Sequence, residues 1–319
     1  MAKSVIKTLS DFLSLVKFSH TVFALPFALI GFVLAITTTD HRFTWQLLLL
    51  VLASMVTARN AAMGFNRYLD REFDLRNPRT AGRELPAKVL KPESVLIFVI
   101  VNSLLFITAA YFINGLTFLL SFPALMVVLG YSLMKRYTAL CHYVLGLGLA
   151  IAPTGAYLSV TGEFALAPVI LSMIVLLWVS GFDIIYALAD EEFDAANKLH
   201  SVPQLFGKRV GLIISSVGHS LIVPLLVIFY FTVNKSRLIL NESLNTISDG
   251  ESVVVNAGHL SWLYIAGAAI FSLLLLWQHL IVTPKNLSRI NAAFFTANGY
   301  AAILFALFVI SDLLFFRSL

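Results

Sequence analysis

The sequence predicts an all-α, polytopic membrane protein, and three observations carry that reading. Of 319 residues, 59% are hydrophobic and only 12% charged, with a mean hydropathy of +0.88, whereas soluble domains average roughly 25% charged residues. Apolar windows of about 20 residues, the length a helix needs to cross the hydrocarbon core, recur along the whole chain. The short alternating segments of a membrane β-barrel are absent.

Nine spans follow from those windows, near residues 14–37, 44–66, 94–113, 115–134, 139–160, 166–187, 211–233, 261–282 and 293–315. Ahead of the first, a segment with Lys3 and Lys7 runs into an apolar stretch too long for a signal-peptide core, without a clear small-residue cleavage site, so it is read as uncleaved. Prolines at 26, 123, 153 and 224 fall inside spans, where membrane helices tolerate bends. Gly146 and Gly148 suit close helix packing. The one long polar stretch, about 234–260, reads as a solvated external loop within a single domain covering 1–319. Cys141 is the only cysteine, which excludes an internal disulfide and a thiolate cluster. His20, His142, His219 and His279 show no metal-ligand spacing, so no histidine site is expected.

The net charge of +5 does not point to nucleic acid, because the basic residues sit in connections between spans. With the N-terminus cytoplasmic, fifteen of the 22 basic residues fall on the cytoplasmic side, against four (Arg42, Lys235, Arg237 and Arg317) on the other. The positive-inside rule is met, and a multi-pass protein of a bacterial inner or plasma membrane is expected.

Chemistry concentrates in two stretches. Asn66, Asp70 and Asp74 stand four apart at the end of the second apolar run, so on a helix they line one stripe. Asp190 and Asp194 close a later run, at a constant offset of 120 residues, with Glu72/Glu192, Phe73/Phe193 and Asn77/Asn197 keeping the same offset. Eight of the 17 acidic residues lie in these two stretches or just before the second, at Asp183. Ionisable groups at membrane depth are costly and usually functional, and facing carboxylates repel unless a cation intervenes. The donors offered by Asn66, Asp70, Asp74, Asp190 and Asp194 are all oxygen, which suits magnesium completed by substrate phosphate oxygens. A phosphate would meet Arg79, Arg83 and Lys88 after the first motif, Lys198 after the second, and Lys135-Arg136 at the end of the fourth span. Any one of these cations also has a plain explanation as part of a basic cytoplasmic loop.

The pair of motifs resembles the UbiA superfamily of intramembrane prenyltransferases. Supporting matches are Arg79-Thr-Ala-Gly-Arg83-Glu-Leu-Pro86, Tyr131-Ser-Leu-Met-Lys135-Arg136 and His200-Ser-Val-Pro203, and the likeness spans about residues 14 to 315. Phe182-Asp-Ile-Ile-Tyr-Ala, before the second motif, is similar to the aromatic-acid branch used in ubiquinone and menaquinone biosynthesis. The resemblance implies nine transmembrane helices around a central cavity with a cytoplasmic cap. It implies Mg2+-dependent transfer of a polyprenyl group from its diphosphate to an aromatic acid such as 4-hydroxybenzoate or a dihydroxynaphthoate. Asp70, Asp74, Asp190 and Asp194 would hold the metal and the head group. Tyr131 and Lys135, with Arg79, Arg83 and Lys198, would meet the diphosphate. The second motif has Tyr186 where the first has Asn66, which argues against a symmetric pair of metal sites.

Two further positions matter under this reading. Asp183 stands seven residues before Asp190, deeper in the membrane, where it either orients and polarises the phenol or bridges helices. Arg59 shares the stripe of Asn66 and Asp70 and lies about 10 Å deeper than Asn66. It either binds the acceptor's acid group, with Asn66 nearby and Lys17 as a second candidate, or pairs with Asp183. The partners expected are the two substrates and the bilayer, with no nucleic acid and no protein partner. The alternative class is a cation-coupled transporter, which would place its carboxylates near the bilayer midplane on interrupted helices.

Overall fold

The computed structural model describes residues 10–16, 23–247 and 259–315, with the backbone alone over 236–247; Lys17 lies outside the described residues. The chain is helical almost throughout: α1 (Leu25–Thr38), α2 (Trp45–Arg76), α3 (Pro92–Ile113), α4 (Gly115–Met134), α5 (Cys141–Thr161), α6 (Leu166–Ala187), α7 (Glu191–Ala196), α8 (Val202–Ile247), α9 (Trp262–Ile281) and α10 (Asn298–Phe315). A 3-10 turn (Leu188–Asp190) joins α6 to α7, and a π-helical turn (Ala292–Ala297) leads into α10. Eight described helical segments are long and apolar enough to cross a membrane. α1, where the first of nine spans was expected, has 14 residues, about 21 Å, and so reaches only part of the way.

Local chemistry sets the boundaries. Thr44 caps α2 by accepting from the Leu47 amide at 3.3 Å, and Asn114 caps α4 by accepting from Thr117 at 2.8 Å while its amide donates to the Leu158 carbonyl on α5. Pro92 opens α3 at a position where its missing N–H costs nothing. Gly162, at φ +70°, ends α5 in the left-handed region.

Two elements depart from the expected spans. α2 runs ten residues past 66, because no breaker intervenes until Asn77, whose successor Pro78 disfavours helix at that position. Its 32 residues reach about 48 Å, well beyond a 30 Å hydrocarbon slab, so its last turns carry Asp70 and Asp74 past the apolar layer. α8 starts at Val202 rather than 211, breaks helical geometry at Gly207 (φ +79°), and continues to Ile247 into the stretch read as a loop. Residues 248–258 of that stretch lie outside the described residues.

The bundle packs around Trp178, which is fully buried on α6 against Phe27 and Phe271, with ring centroids 5.1 and 5.8 Å apart. Its indole N–H donates to the Asn298 side-chain carbonyl at 2.7 Å, which meets the polar requirement of a buried Trp. The outer surface is apolar, with Leu104, Phe112, Met126, Phe231, Leu276 and Leu307 all exposed, as lipid contact requires. α5 and α6 pack closely: a Cβ on Gly146 would fall 2.4 Å from the Ser180 hydroxyl and 2.6 Å from the Leu176 carbonyl. One on Gly148 would meet nothing nearer than Val128 at 3.8 Å, so that glycine is not needed for packing. Gly146→Ala is therefore expected to lower stability by about 1–3 kcal/mol and Gly148→Ala to leave it nearly unchanged, as read by thermal unfolding in detergent.

Candidate active site

A cavity of about 850 Å3 runs along the inside of the bundle between α2, α4, α5 and α6. At one end it is lined by Asp70, Asp74, Asp190 and Asp194; at the other it reaches Thr117, Leu158 and Phe164, near the opposite ends of the same helices. Between them the walls are mainly apolar. The π-helical turn before α10 delivers Phe294 and Phe295 to this wall, and Phe294 stacks on Tyr186 with centroids 4.1 Å apart. π-turns inside helices frequently mark functional sites.

The first motif lies on the continuous helix α2, so Asn66, Asp70 and Asp74 do share one face and all line the cavity. The Asn66 amide donates to Asp70 at 2.9 Å, fixing one carboxylate oxygen. The second motif is built differently. The helix breaks into the 3-10 turn at 188–190, and Asp190 and Asp194 sit on the turn and on short α7. The two motifs are therefore not a symmetric pair, as the Tyr186 substitution suggests.

Each motif carboxylate meets a basic side chain. Arg83 reaches Asp74 at 2.6 Å, Lys135 reaches Asp194 at 2.8 Å, Arg136 lies 3.5 Å from Asp70, and Arg79 pairs with Asp190. The Arg79–Asp190 pair joins the first motif's loop to the second motif across 111 residues of sequence, and Asn77 also donates to Asp190 at 3.4 Å. Arg79 stacks over the Tyr186 ring at 4.7 Å. Asp194 is fully buried and also accepts from the Ser201 hydroxyl at 2.9 Å. Burial alone would lower the Lys135 ammonium pKa, but the carboxylates of Asp194 and Asp190 outweigh it and raise it above the ordinary lysine value.

Arg59, Tyr131 and Asp183 also line the cavity. Arg59 donates to the Val16 carbonyl at 3.0 Å. Asp183 pairs instead with His142, Oδ2 to Nδ1 at 2.6 Å, so the alternative Arg59–Asp183 pair is not formed. Lys198 is exposed on the turn after α7, at φ +54°, and does not line the cavity. Two residues escaped the sequence reading. His142 was set aside as a lone histidine, although it holds Asp183. Arg67, only 7% exposed, lines the cavity and makes no hydrogen bond or ion pair among the described residues; a buried guanidinium without a partner is costly, and that cost is the signal that would have found it.

The oxygen set fits magnesium. No three Asp, Glu, His or Cys side chains converge into a self-sufficient metal cluster among the described residues, but Mg2+ is usually held by one or two carboxylates with substrate phosphates and waters. Asp74 Oδ2 is buried without a hydrogen-bond partner, an acceptor left for such an ion.

The profile of the UbiA prenyltransferase family matches residues 24–300. The chain belongs to the UbiA prenyltransferase family. It is 28% identical over 269 residues to the 4-hydroxybenzoate octaprenyltransferase of Aeromonas hydrophila, covering 84% of each chain. To the enzyme of the same name from Aeromonas salmonicida it is 34% identical over 165 residues, 52% of this chain and 57% of the relative; the chain thus spans little more than half the length of several relatives it matches. Among solved structures, a UbiA homolog from Aeropyrum pernix is 27% identical with a TM-score of 0.75, covering 93% of this chain and 98% of that one. A UbiA homolog from Archaeoglobus fulgidus bound to DMAPP and Mg2+ shares the fold, at 22% identity and a TM-score of 0.58, covering 92% and 99%. This UbiA-family chain is an integral, multi-pass membrane protein, with its carboxylates at helix ends rather than midway along interrupted helices.

The ion pairs of this UbiA-family protein also bear on its stability. Lys135→Met leaves the buried Asp194 carboxylate without its cation and is expected to destabilise by about 3 kcal/mol. Lys135→Met with Asp194→Asn should recover most of that loss in thermal unfolding.

Proposed function

We propose that the protein transfers a polyprenyl group from its diphosphate to a hydroxylated aromatic acid, with 4-hydroxybenzoate as acceptor, on a quinone-forming route. The observation that carries this reading is the meeting of two acidic motifs, distant in sequence, at one end of a long apolar cavity. The diphosphate head would sit at the charged end and the prenyl tail along the apolar walls. The names of the Aeromonas relatives and the DMAPP and Mg2+ in the Archaeoglobus neighbour support it. The basic residues in the connections support a cytoplasmic position for the charged end.

Asp70 and Asp74 from α2, with Asp190 and Asp194 across from them, would hold Mg2+, which supplies positive charge opposite the departing diphosphate. The protein's own groups do the rest. Arg79, Arg83 and Lys135 exchange their carboxylate partners for phosphate oxygens, and Arg67 and Tyr131 add contacts from the wall. The allylic C–O bond breaks with its electron pair leaving on the diphosphate, and the aromatic wall of Phe182, Tyr186 and Phe294 shields the cation-like carbon from water. Arg59, about 10 Å deeper than Asn66, takes the acceptor's carboxylate in its fork and so sets the ring between itself and the charged end.

The purified protein in lipid, given labelled polyprenyl diphosphate, Mg2+ and a panel of phenolic acids, should prenylate 4-hydroxybenzoate, with turnover lost on chelation. Asp70→Ala and Asp190→Ala should each abolish it in a folded protein, and near-normal rates in either would refute the metal assignment. Arg59→Leu should raise the acceptor KM and erode the preference for the acid over its methyl ester, leaving the KM for prenyl diphosphate intact. An unchanged acid-to-ester ratio would assign Arg59 to structure.

A further inference from the structure

The cavity holds one carboxylate that belongs to neither acidic motif. Asp183 projects from α6, and the helix and 3-10 turn between it and Asp190 set it about 12 Å farther into the bundle. That depth leaves room for the diphosphate and the allylic carbon between the charged end and an acceptor ring beside Asp183. The same cavity wall is aromatic, with the Phe182 and Phe294 ring centroids 5.2 Å apart and Tyr186 on Phe294, and the Tyr131 hydroxyl is within electrostatic reach.

How Asp183 is held is specific. His142, only 2% exposed in the first turn of α5, accepts the backbone N–H of Val202 on Nε2 at 3.2 Å. A backbone N–H can only donate, so the lone pair lies on Nε2 and the imidazole proton on Nδ1. Nδ1–H therefore donates to Asp183 Oδ2 at 2.6 Å. The second oxygen, Oδ1, has no hydrogen-bond partner among the described residues, and Asp183 lines the cavity. His142 thus fixes one oxygen and leaves the other facing the substrate space, the arrangement of a base with its orienting group. A tie between helices alone would not require a carboxylate oxygen turned to the cavity.

We infer that Asp183 is the base that removes the ring proton of the acceptor and that His142 is the residue positioning it, an inference that rests on the prenyl-transfer reading. A carbon–carbon bond forms between the allylic carbon and the ring carbon beside the hydroxyl as the C–O bond to diphosphate breaks. The ring C–H at the new bond then breaks. Its electrons restore aromaticity, its proton moves to Asp183 Oδ1, and the proton passes to water as the product leaves. His142 keeps its Nδ1 proton throughout.

The test uses the full-length protein in lipid with 4-hydroxybenzoate carrying deuterium or hydrogen beside its hydroxyl. Asp183→Asn keeps the acceptor oxygen for His142, so the protein should fold. Its kcat should fall by about 100-fold or more, the KM for prenyl diphosphate should stay within about twofold, and a deuterium isotope effect larger than the wild-type value should appear because proton removal has become slow. His142→Leu should show the same signature with a smaller loss, about tenfold. His142→Gln, whose amide can both donate to Asp183 and accept from Val202, should recover most of that loss. An Asp183→Asn protein with wild-type kcat, or one slowed without any increase in the isotope effect, would overturn the inference. Should His142→Leu fail to fold, Asp183→Asn still decides the base and His142→Gln against His142→Asn, which is too short to span both partners, decides the positioning. A wild-type protein that prenylates no acceptor would instead overturn the prenyl-transfer reading itself.

Discussion

Charge neutralisation among the four motif aspartates is the constraint on which the rest of this structure depends. Asp74 and Asp194 are buried, and taking a carboxylate out of water without a partner costs several kcal/mol. The chain meets that cost with cations from other segments: Arg83 and Arg79 from the loop after α2, and Lys135 and Arg136 from the end of α4. These pairs also staple the loops over the mouth of the cavity, because Arg79 and Asp190 belong to different halves of the chain. On the proposed function, the same side chains would meet the diphosphate and the same carboxylates would hold magnesium, so folding and binding would draw on one set of charges.

The membrane explains the remainder of the layout. An apolar bundle can host a long prenyl chain within its walls at little cost, but a diphosphate must stay where charges are affordable. Extending α2 by about five turns beyond Arg59 would be unnecessary for a simple span; the extension past residue 66 exists to hold Asp70 and Asp74 beyond the apolar layer. The cavity thus has a charged end and an apolar length, with Arg59, Asp183 and Tyr131 at the boundary between them.

Much of this was legible in the sequence, and the parts that were not share a physical reason. Helical periodicity puts Asn66, Asp70 and Asp74 on one face, and the continuous α2 keeps that register. Hydropathy located α3 through α6 and α9 to within two residues, because long apolar runs have few alternatives in lipid. Hydropathy also stopped α2 early, since charged helix formers look like loop; residues 17–22 of the expected first span lie outside the described residues. Spacing could not reveal contacts made across the fold: His142 looks solitary in sequence because Asp183 lies 41 residues away, and the Arg79–Asp190 tie is more distant still. The second motif looked like the first, yet the 3-10 turn at 188–190 gives it a different geometry.

If the motif aspartates are shared between basic side chains and magnesium, then metal and diphosphate must bind together, because the diphosphate draws the cations away and frees the carboxylates. By linkage, each should then raise the affinity for the other by the same factor. The most direct measurement is calorimetric titration of Mg2+ into the purified protein with and without a non-reactive prenyl thiolodiphosphate. Shared charges require weak Mg2+ binding alone and binding tightened at least tenfold, about 1.4 kcal/mol, when the diphosphate is present. Equal Mg2+ affinity in both titrations would contradict this sharing.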